Sequence, residues 1–269
     1  MRNIFFLINI LFTFSGFCQT NYSIKDFKKS PLPKVLSTEW YALCNSENDF
    51  SIVAKNDTIQ ITQSIYSSNF EYNLPEGKLI AINLGEWGGG LYYKPNDTIN
   101  KHFSVNGIEQ ELKNDGRGGI IIFRDNPLNK LLKSTLLLKG GNIRSIFSFN
   151  GSLYLMEGLA HMGSSYGALY KMEQKNDSFS ISKLIDFDDA PMAVCPLDDS
   201  ILVATLDRFY IINKKMEKTL IFKDLFWFGL YPNSIARIKN KYAYIGMRDG
   251  FAKIDLKKKN LEFYKYIKK

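Results

Sequence analysis

The chain has 269 residues, of which 45% are hydrophobic and 23% charged, and 20 Phe with 15 Tyr lift the aromatic share to 14%. That apolar content excludes a disordered chain, because it is ample for a sizeable core. The formal net charge of +8 comes without an Arg-rich stripe or a base-stacking motif, so nucleic acid is not an expected partner.

In chain order, Met1-Arg2-Asn3 sets one positive charge ahead of an apolar run, Ile4 to Phe17, broken only by Asn9, Thr13, Ser15 and Gly16. The run falls short of the roughly 20 residues that span a bilayer. It reads as a secretory signal peptide over residues 1–18, with Gly16 and Cys18 at the small-residue positions and a processed chain starting at Gln19. A lipoprotein acylated at Cys18 is the weaker alternative, since Phe17 is too large for the position before a lipidated cysteine. The expected location is periplasmic or secreted, with residues 19–269 forming one domain. No transmembrane span is expected in the processed chain: Leu131 to Leu138 is interrupted by Lys133, Ser134 and Thr135.

Trp40 to Cys44, Phe50 to Ala54 and Thr58 to Thr62 read as strands, rich in the aromatic and β-branched residues that strands favour. Lys78 to Leu84 and Leu91 to Lys94 flank the turn Gly85-Glu86-Trp87-Gly88-Gly89-Gly90 and suggest a central hairpin. His102 reads as an exposed strand end, and Gly118-Gly119 before Ile120 to Arg124 suggests one more sheet. Helix-like periodicity is confined to short stretches around Pro127 to Leu138 and Phe222 to Tyr231.

The second half repeats. Ile143 to Phe149, Ser152 to Met156, Ala168 to Met172 and Phe179 to Ile185 form one set of four strands, with a long loop expected over Glu157 to Tyr166. Met192 to Pro196, Ile201 to Thr205, Phe209 to Asn213 and Lys218 to Phe222 form the next. Ser234 to Ile238, Tyr242 to Gly246, Phe251 to Leu256 and Leu261 to Tyr266 form the last. The period of roughly 40 to 45 residues is that of a four-stranded propeller blade. The fold expected is therefore all-β, a single β-propeller of five four-stranded blades, with six as the alternative count and a β-sandwich as the rival architecture.

In the last set, Tyr244-Ile245-Gly246-Met247-Arg248-Asp249-Gly250-Phe251-Ala252-Lys253-Ile254-Asp255-Leu256 resembles the propeller repeat of periplasmic sensor regions of two-component regulators. Met247 stands where that repeat has a small residue. The resemblance covers one blade well and Met192 to Asn213 poorly. It implies the fold and does not import signalling.

In a propeller, the turn between a blade's second and third strands lies on the same side as the link to the next blade. Such turns would gather Glu86 and Trp87, then Glu157, His161, Ser164, Ser165 and Tyr166, then Asp207 with Arg208, and finally Arg248 with Asp249. Glycine permits close backbone approach, so the Gly85–Gly90 turn reads either as a ligand contact or as a bulge with Trp87 packed between blades. His161, Glu86 and Glu157 are the weak catalytic candidates, with Ser164 or Ser165 as a conceivable nucleophile. No complete catalytic motif accompanies them. Two histidines and two cysteines left after processing, Cys44 and Cys195, make no recognisable structural zinc site. No metal or cofactor is implied, and the two thiols read as separate buried residues in preference to a disulfide.

Asn21, Asn56, Asn96, Asn150 and Asn176 each start an Asn-x-Ser/Thr sequon, although several are equally ordinary hairpin turns. Asp186, Asp188 and Asp189 lack the glycine and distant glutamate of a calcium loop and read as an acidic turn. The lysines of 257–259 and 265–269 read as solvated turns and a chain end. Together these features point to a monomeric, non-enzymatic binding protein of the cell envelope that uses one propeller face for a protein, peptide or glycan. An exported hydrolase or lyase acting on a sugar or lactone, with His161 and Glu86 as acid/base pair, is the alternative.

Overall fold

A computed structural model describes residues 21–64, 69–96, 104–106, 134–175 and 178–267. The first sheet takes β1 (Asn21–Tyr22), and after β2 (Phe27–Ser30) and helix α1 (Thr38–Cys44) it adds β3 (Phe50–Lys55) and β4 (Thr58–Gln63). Its order is β1-β4-β3. The next sheet holds β5 (Asn69–Leu74), β6 (Gly77–Asn83) and β7 (Gly89–Pro95), while the short β8 (Ser104–Asn106) belongs elsewhere and β9 (Thr135–Gly140) completes the order β5-β6-β7-β9.

The third sheet runs β10 (Asn142–Phe149), β11 (Ser152–His161), β12 (Ser164–Lys175) and β13 (Ser178–Phe187), with β8 paired in parallel to β13. The fourth is the meander β14 (Pro191–Pro196), β15 (Ser200–Thr205), β16 (Phe209–Asn213) and β17 (Lys218–Phe222). The fifth, β18 (Ser234–Ile238), β19 (Tyr242–Met247), β20 (Gly250–Asp255) and β21 (Asn260–Tyr266), is extended by β2, which pairs antiparallel with β21. The early strand β2 therefore completes the sheet built by the end of the chain.

The innermost strands meet in series, β10 against β14, β14 against β18 and β18 against β3. Each interface has its own core. Leu79, Leu91, Leu155 and Phe179 fill the space between the second and third sheets, and Phe147, Met156, Val203 and Tyr210 that between the third and fourth. Leu202, Phe209, Ile245 and Phe263 join the fourth to the fifth, and Phe27, Phe50, Ile52 and Phe251 the fifth to the first. Burial of each such side chain stabilises the fold by about 1.5–3 kcal/mol. This radial stacking of antiparallel meanders, in which sheet faces bury one another, is a β-propeller.

Outer strands keep a period of two, as in β13 where Phe179 and Ile181 are buried and Ser180 and Ser182 exposed. Central strands are buried on both faces, as in β15 from Ile201 to Thr205, so alternation fades there.

Three sequence expectations need correction. Trp40 to Cys44 is not a strand but lies in α1: the Ser37 hydroxyl accepts the Trp40 backbone N–H at 3.2 Å and caps the helix. Trp40 and Leu43, three apart on one helical face, are both buried, and the Trp40 indole donates to the Phe226 carbonyl at 2.6 Å. The expected loop over Glu157 to Tyr166 is a continuous hairpin, paired down to His161 with Ser164. Met162 and Gly163 take positive φ of 46° and 81°, the pairing a two-residue hairpin turn requires. Neither helix-like stretch forms a helix within the described residues: 135–138 is strand, and 223–233 is an irregular link after β17. His102, Asn176, the Gly118–Arg124 stretch and residues 1–18 lie outside the described residues.

Candidate functional site

In the second to fifth sheets the turn from second to third strand and the link into the next sheet fall on one side, and hydrogen bonds tie them together. The Gly85–Trp87 turn is clamped by Asn142, which opens β10: its Oδ1 accepts the Leu84 N–H at 2.9 Å and its Nδ2 donates to the Gly85 carbonyl at 2.6 Å. Gly88 has φ 80° and ψ −147°, a conformation essentially reserved for glycine. A Cβ there would come within 2.3 Å of the Gly140 carbonyl. Gly88, Gly89 and Gly90 are explained by this backbone-to-backbone approach, and Gly85 by its φ of 65° alone.

With the turn so held, Trp87 does not pack between blades. Its side chain is 59% exposed, and its ring centroid lies 5.8 Å from that of His161, tilted by 47°. Glu86 Oε2 is 3.7 Å from His161 Nδ1, beyond hydrogen-bonding reach, and that nitrogen is buried without a hydrogen-bond partner. Met162, at the hairpin tip beside His161, is 87% exposed. Glu86, Trp87 and His161, far apart in sequence, thus form one corner.

The other candidates are occupied. Glu157 is buried, accepting the Gly141 N–H at 2.5 Å and the Tyr170 hydroxyl at 2.8 Å. Burial pushes its carboxyl pKa up, against the pull of those two hydrogen bonds. Burial first, then the neighbouring Glu157, raises the Tyr170 phenol. Ser164 stands opposite His161 and Tyr166 opposite Leu159 across the hairpin. The Ser165 hydroxyl accepts the Ala190 N–H at 2.7 Å, riveting β12 to the following link.

Arg208 donates to Asp188 at 3.0 Å and lies 3.4 Å from Asp207. Arg248 donates to the Cys44 carbonyl at 2.7 Å and stacks 4.8 Å over the Tyr231 ring. Asp249 accepts from the Ser46 hydroxyl at 2.9 Å and the Asn48 amide at 3.3 Å. Among the described residues, no hydrogen bond or ion pair joins Arg208, Arg248 or Asp249 to the Glu86–His161 corner.

Sequence reasoning missed a recurring clamp. In four of the five sheets a clamping Asn or Asp sits at or just before the innermost strand: Asp49, Asn142, Asp189 and Asn233. Asp189 accepts the Asp207 N–H at 3.0 Å, and Asn233 donates to Asp49 at 2.7 Å. Burial pushes Asp49 up to about 6 despite the Arg248 guanidinium. Burial, reinforced by the Asp207 carboxylate, pushes Asp189 to about 6 as well. The signal was available in Asp49-Phe50, Asn142-Ile143, Asp189-Ala190-Pro191 and Asn233-Ser234, one Asx at or ahead of each of these four inner strands.

Cys44 and Cys195 are both free and line the core between the fourth and fifth sheets, where burial raises both thiols. Among the described residues no group of three or more His, Cys, Asp or Glu is placed to hold a metal ion. A shallow groove of about 510 Å3, lined among others by Leu32, Val35, Phe222 and Leu261, holds none of the sequence-predicted site residues.

No protein-family model matches the chain, and no curated protein does. Among solved structures it is similar to the AfRom2 CNH domain, with 10% identity and a TM-score of 0.39 over 85% of this chain and 72% of that one. The assignment of the chain to the β-propellers rests on its own sheets.

Proposed function

We propose that this protein is an exported cell-envelope binding protein that engages a protein, peptide or glycan through the turn-and-link face of its propeller. One observation supports this most: among the exposed large apolar side chains, the aromatic residues Trp87, Tyr41, Phe228 and Tyr231, with Met162, belong to second-to-third strand turns or inter-sheet links, whereas Val53, Leu184 and Leu220 lie singly on strands. Exposed Trp, Tyr and Met concentrated on one face are what recognition surfaces use. Export is the reading of the N-terminal 1–18 segment, and no helix among the described residues is long and apolar enough to cross a membrane. The test is retention of envelope components by the folded protein compared with a Trp87→Ala/Met162→Ser variant. Equal retention by both would remove the Trp87 corner from the interface.

The 3.7 Å approach of Glu86 to His161 also favours a second reading, an exported hydrolase or lyase with this pair moving a proton. Direct proton transfer requires this gap to close to hydrogen-bonding distance, about 3 Å. If envelope-derived sugars and lactones turn over at the same rate with His161→Gln, that reading falls.

A further inference from the structure

On the side of the ring opposite the Trp87 corner, we propose that the lysine-bearing turns of the fourth and fifth sheets dock the protein on an anionic lipid bilayer. This inference does not depend on the reading above.

Strand direction alternates in each meander, so the first-to-second and third-to-fourth strand turns share the other side. Arg237, at the end of β18, donates to Asp199 in the β14–β15 turn at 2.9 Å, which places the two neighbouring sheets' turns side by side. That side carries Lys214 and Lys215 between β16 and β17, Lys239 between β18 and β19, and Lys257, Lys258 and Lys259 between β20 and β21. All six are exposed. None makes an ion pair with a described residue. Lys239 and Lys259 sit at φ 51° and 49°, at the tips of tight turns. The corresponding turns of two other sheets carry Lys55 beside Asp57 and Lys175 at 3.9 Å from Glu173, and add no net charge.

Of the acids among these lysines Asp198 is exposed, and the others are hydrogen-bonded. Asp199 binds Arg237, Glu217 accepts from the Asn213 amide at 2.6 Å, and Asp255 accepts the backbone N–H groups of Lys257 and Lys258 at 3.0 Å each. Glu217 and Asp255 keep their charge, so six lysines and Arg237 set against Asp198, Asp199, Glu217 and Asp255 leave these turns with a net charge of +3, while on the opposite side Asp188 and Asp224 are offset by Arg208 and Lys223 and Glu86 is exposed. A protein polarised in this way adsorbs with one orientation.

A bilayer fits better than a linear polyanion. The charges sit on turn tips spread over neighbouring sheets, which suits a plane more than a strand. Lysine is a compact point charge without the planar fork that arginine uses for bidentate phosphate recognition. None of the exposed large hydrophobic residues lies on these turns, so stacking of nucleic-acid bases has no platform there.

The experiment is co-sedimentation of the full chain, in its processed form, with vesicles of phosphatidylcholine containing about 30% phosphatidylglycerol, since each lysine near such a surface strengthens binding about fivefold. Binding is expected to these vesicles and not to pure phosphatidylcholine, with release near 0.5 M salt, where screening shortens the field to about 4 Å. Replacing Lys214, Lys215, Lys257, Lys258 and Lys259 with Gln should weaken it at least about a hundredfold without moving the melting temperature. Removing the same charge from Lys25, Lys28, Lys34, Lys183 and Lys223 should weaken it far less. Equal loss from both variants, no binding to the anionic vesicles, or equally tight binding to double-stranded DNA in the same buffer would overturn the proposal.

Discussion

At the Arg248 corner of the turn-and-link face, polar groups are spent on the fold. Arg248 holds the Cys44 carbonyl and the Tyr231 ring, Asp249 gathers Ser46 and Asn48, and Asn233 binds Asp49. At the Trp87 corner the backbone is held just as firmly by Asn142 and the glycines, yet Glu86, Trp87 and Met162 are left to solvent. Both corners have the same topology and similar residue types. The difference teaches that a charged turn residue marks a site only when neighbouring links leave it uncommitted.

That contrast is sharpest in stability. Glu157→Ala orphans the Gly141 N–H and the Tyr170 hydroxyl and opens a buried cavity, and should cost about 3 kcal/mol in urea unfolding. Arg248→Ala loses a hydrogen bond, a ring contact and the cation beside buried Asp49, and should cost about 2 kcal/mol in the same measurement.

The buried clamps make the committed corners sensitive to pH. The carboxyls of Asp189 and Asp49 are raised from 3.8 to about 6, so the folded state holds their protons more tightly than the unfolded chain does. Their contribution is fully present below pH 3.8 and is lost as pH rises through about 6. The melting temperature should fall across that window. Asp189→Asn should match the wild type near pH 4 and exceed it by about 1 kcal/mol near pH 8, with Asp49 responsible for the slope that remains. A variant that is no more stable at pH 8 would show that Asp189 is not held against its charge. The smallest effect belongs to the uncommitted corner, where Trp87→Ala should change stability by less than about 0.5 kcal/mol.

The sequence made the fold legible where the repeat is regular: all four strands of the fourth and fifth sheets lie close to where alternation and turn residues put them. It failed where local chemistry overrode composition. The aromatic-rich Trp40 to Cys44 stretch looked like a strand, but the Ser37 cap and burial of Trp40 and Leu43 on one face make it a helix. The Met162-Gly163 turn was hidden inside an apparent loop because Gly158 and Gly167 read as loop residues. In fact both are strand positions crowded by Pro191 and the neighbouring backbone. Of the candidate site, the side of the ring was legible from topology, whereas the 3.7 Å approach of Glu86 to His161 was not, because no sequence signal joins the two turns. Which residues stay free was not, because that depends on links such as 45–49 and 188–190, whose partners are distant in sequence.

The most direct test of the account measures retention of envelope components on immobilised protein, comparing the wild type with three variants of matched stability. Trp87→Ala/Met162→Ser alters the proposed contact corner, Asp249→Asn a committed one, and Lys214→Gln/Lys215→Gln the opposite side. The account predicts a defined set of components retained by the wild type and the last two, and lost from the first. The same set retained by all, or lost with Asp249→Asn and kept with Trp87→Ala/Met162→Ser, would contradict it.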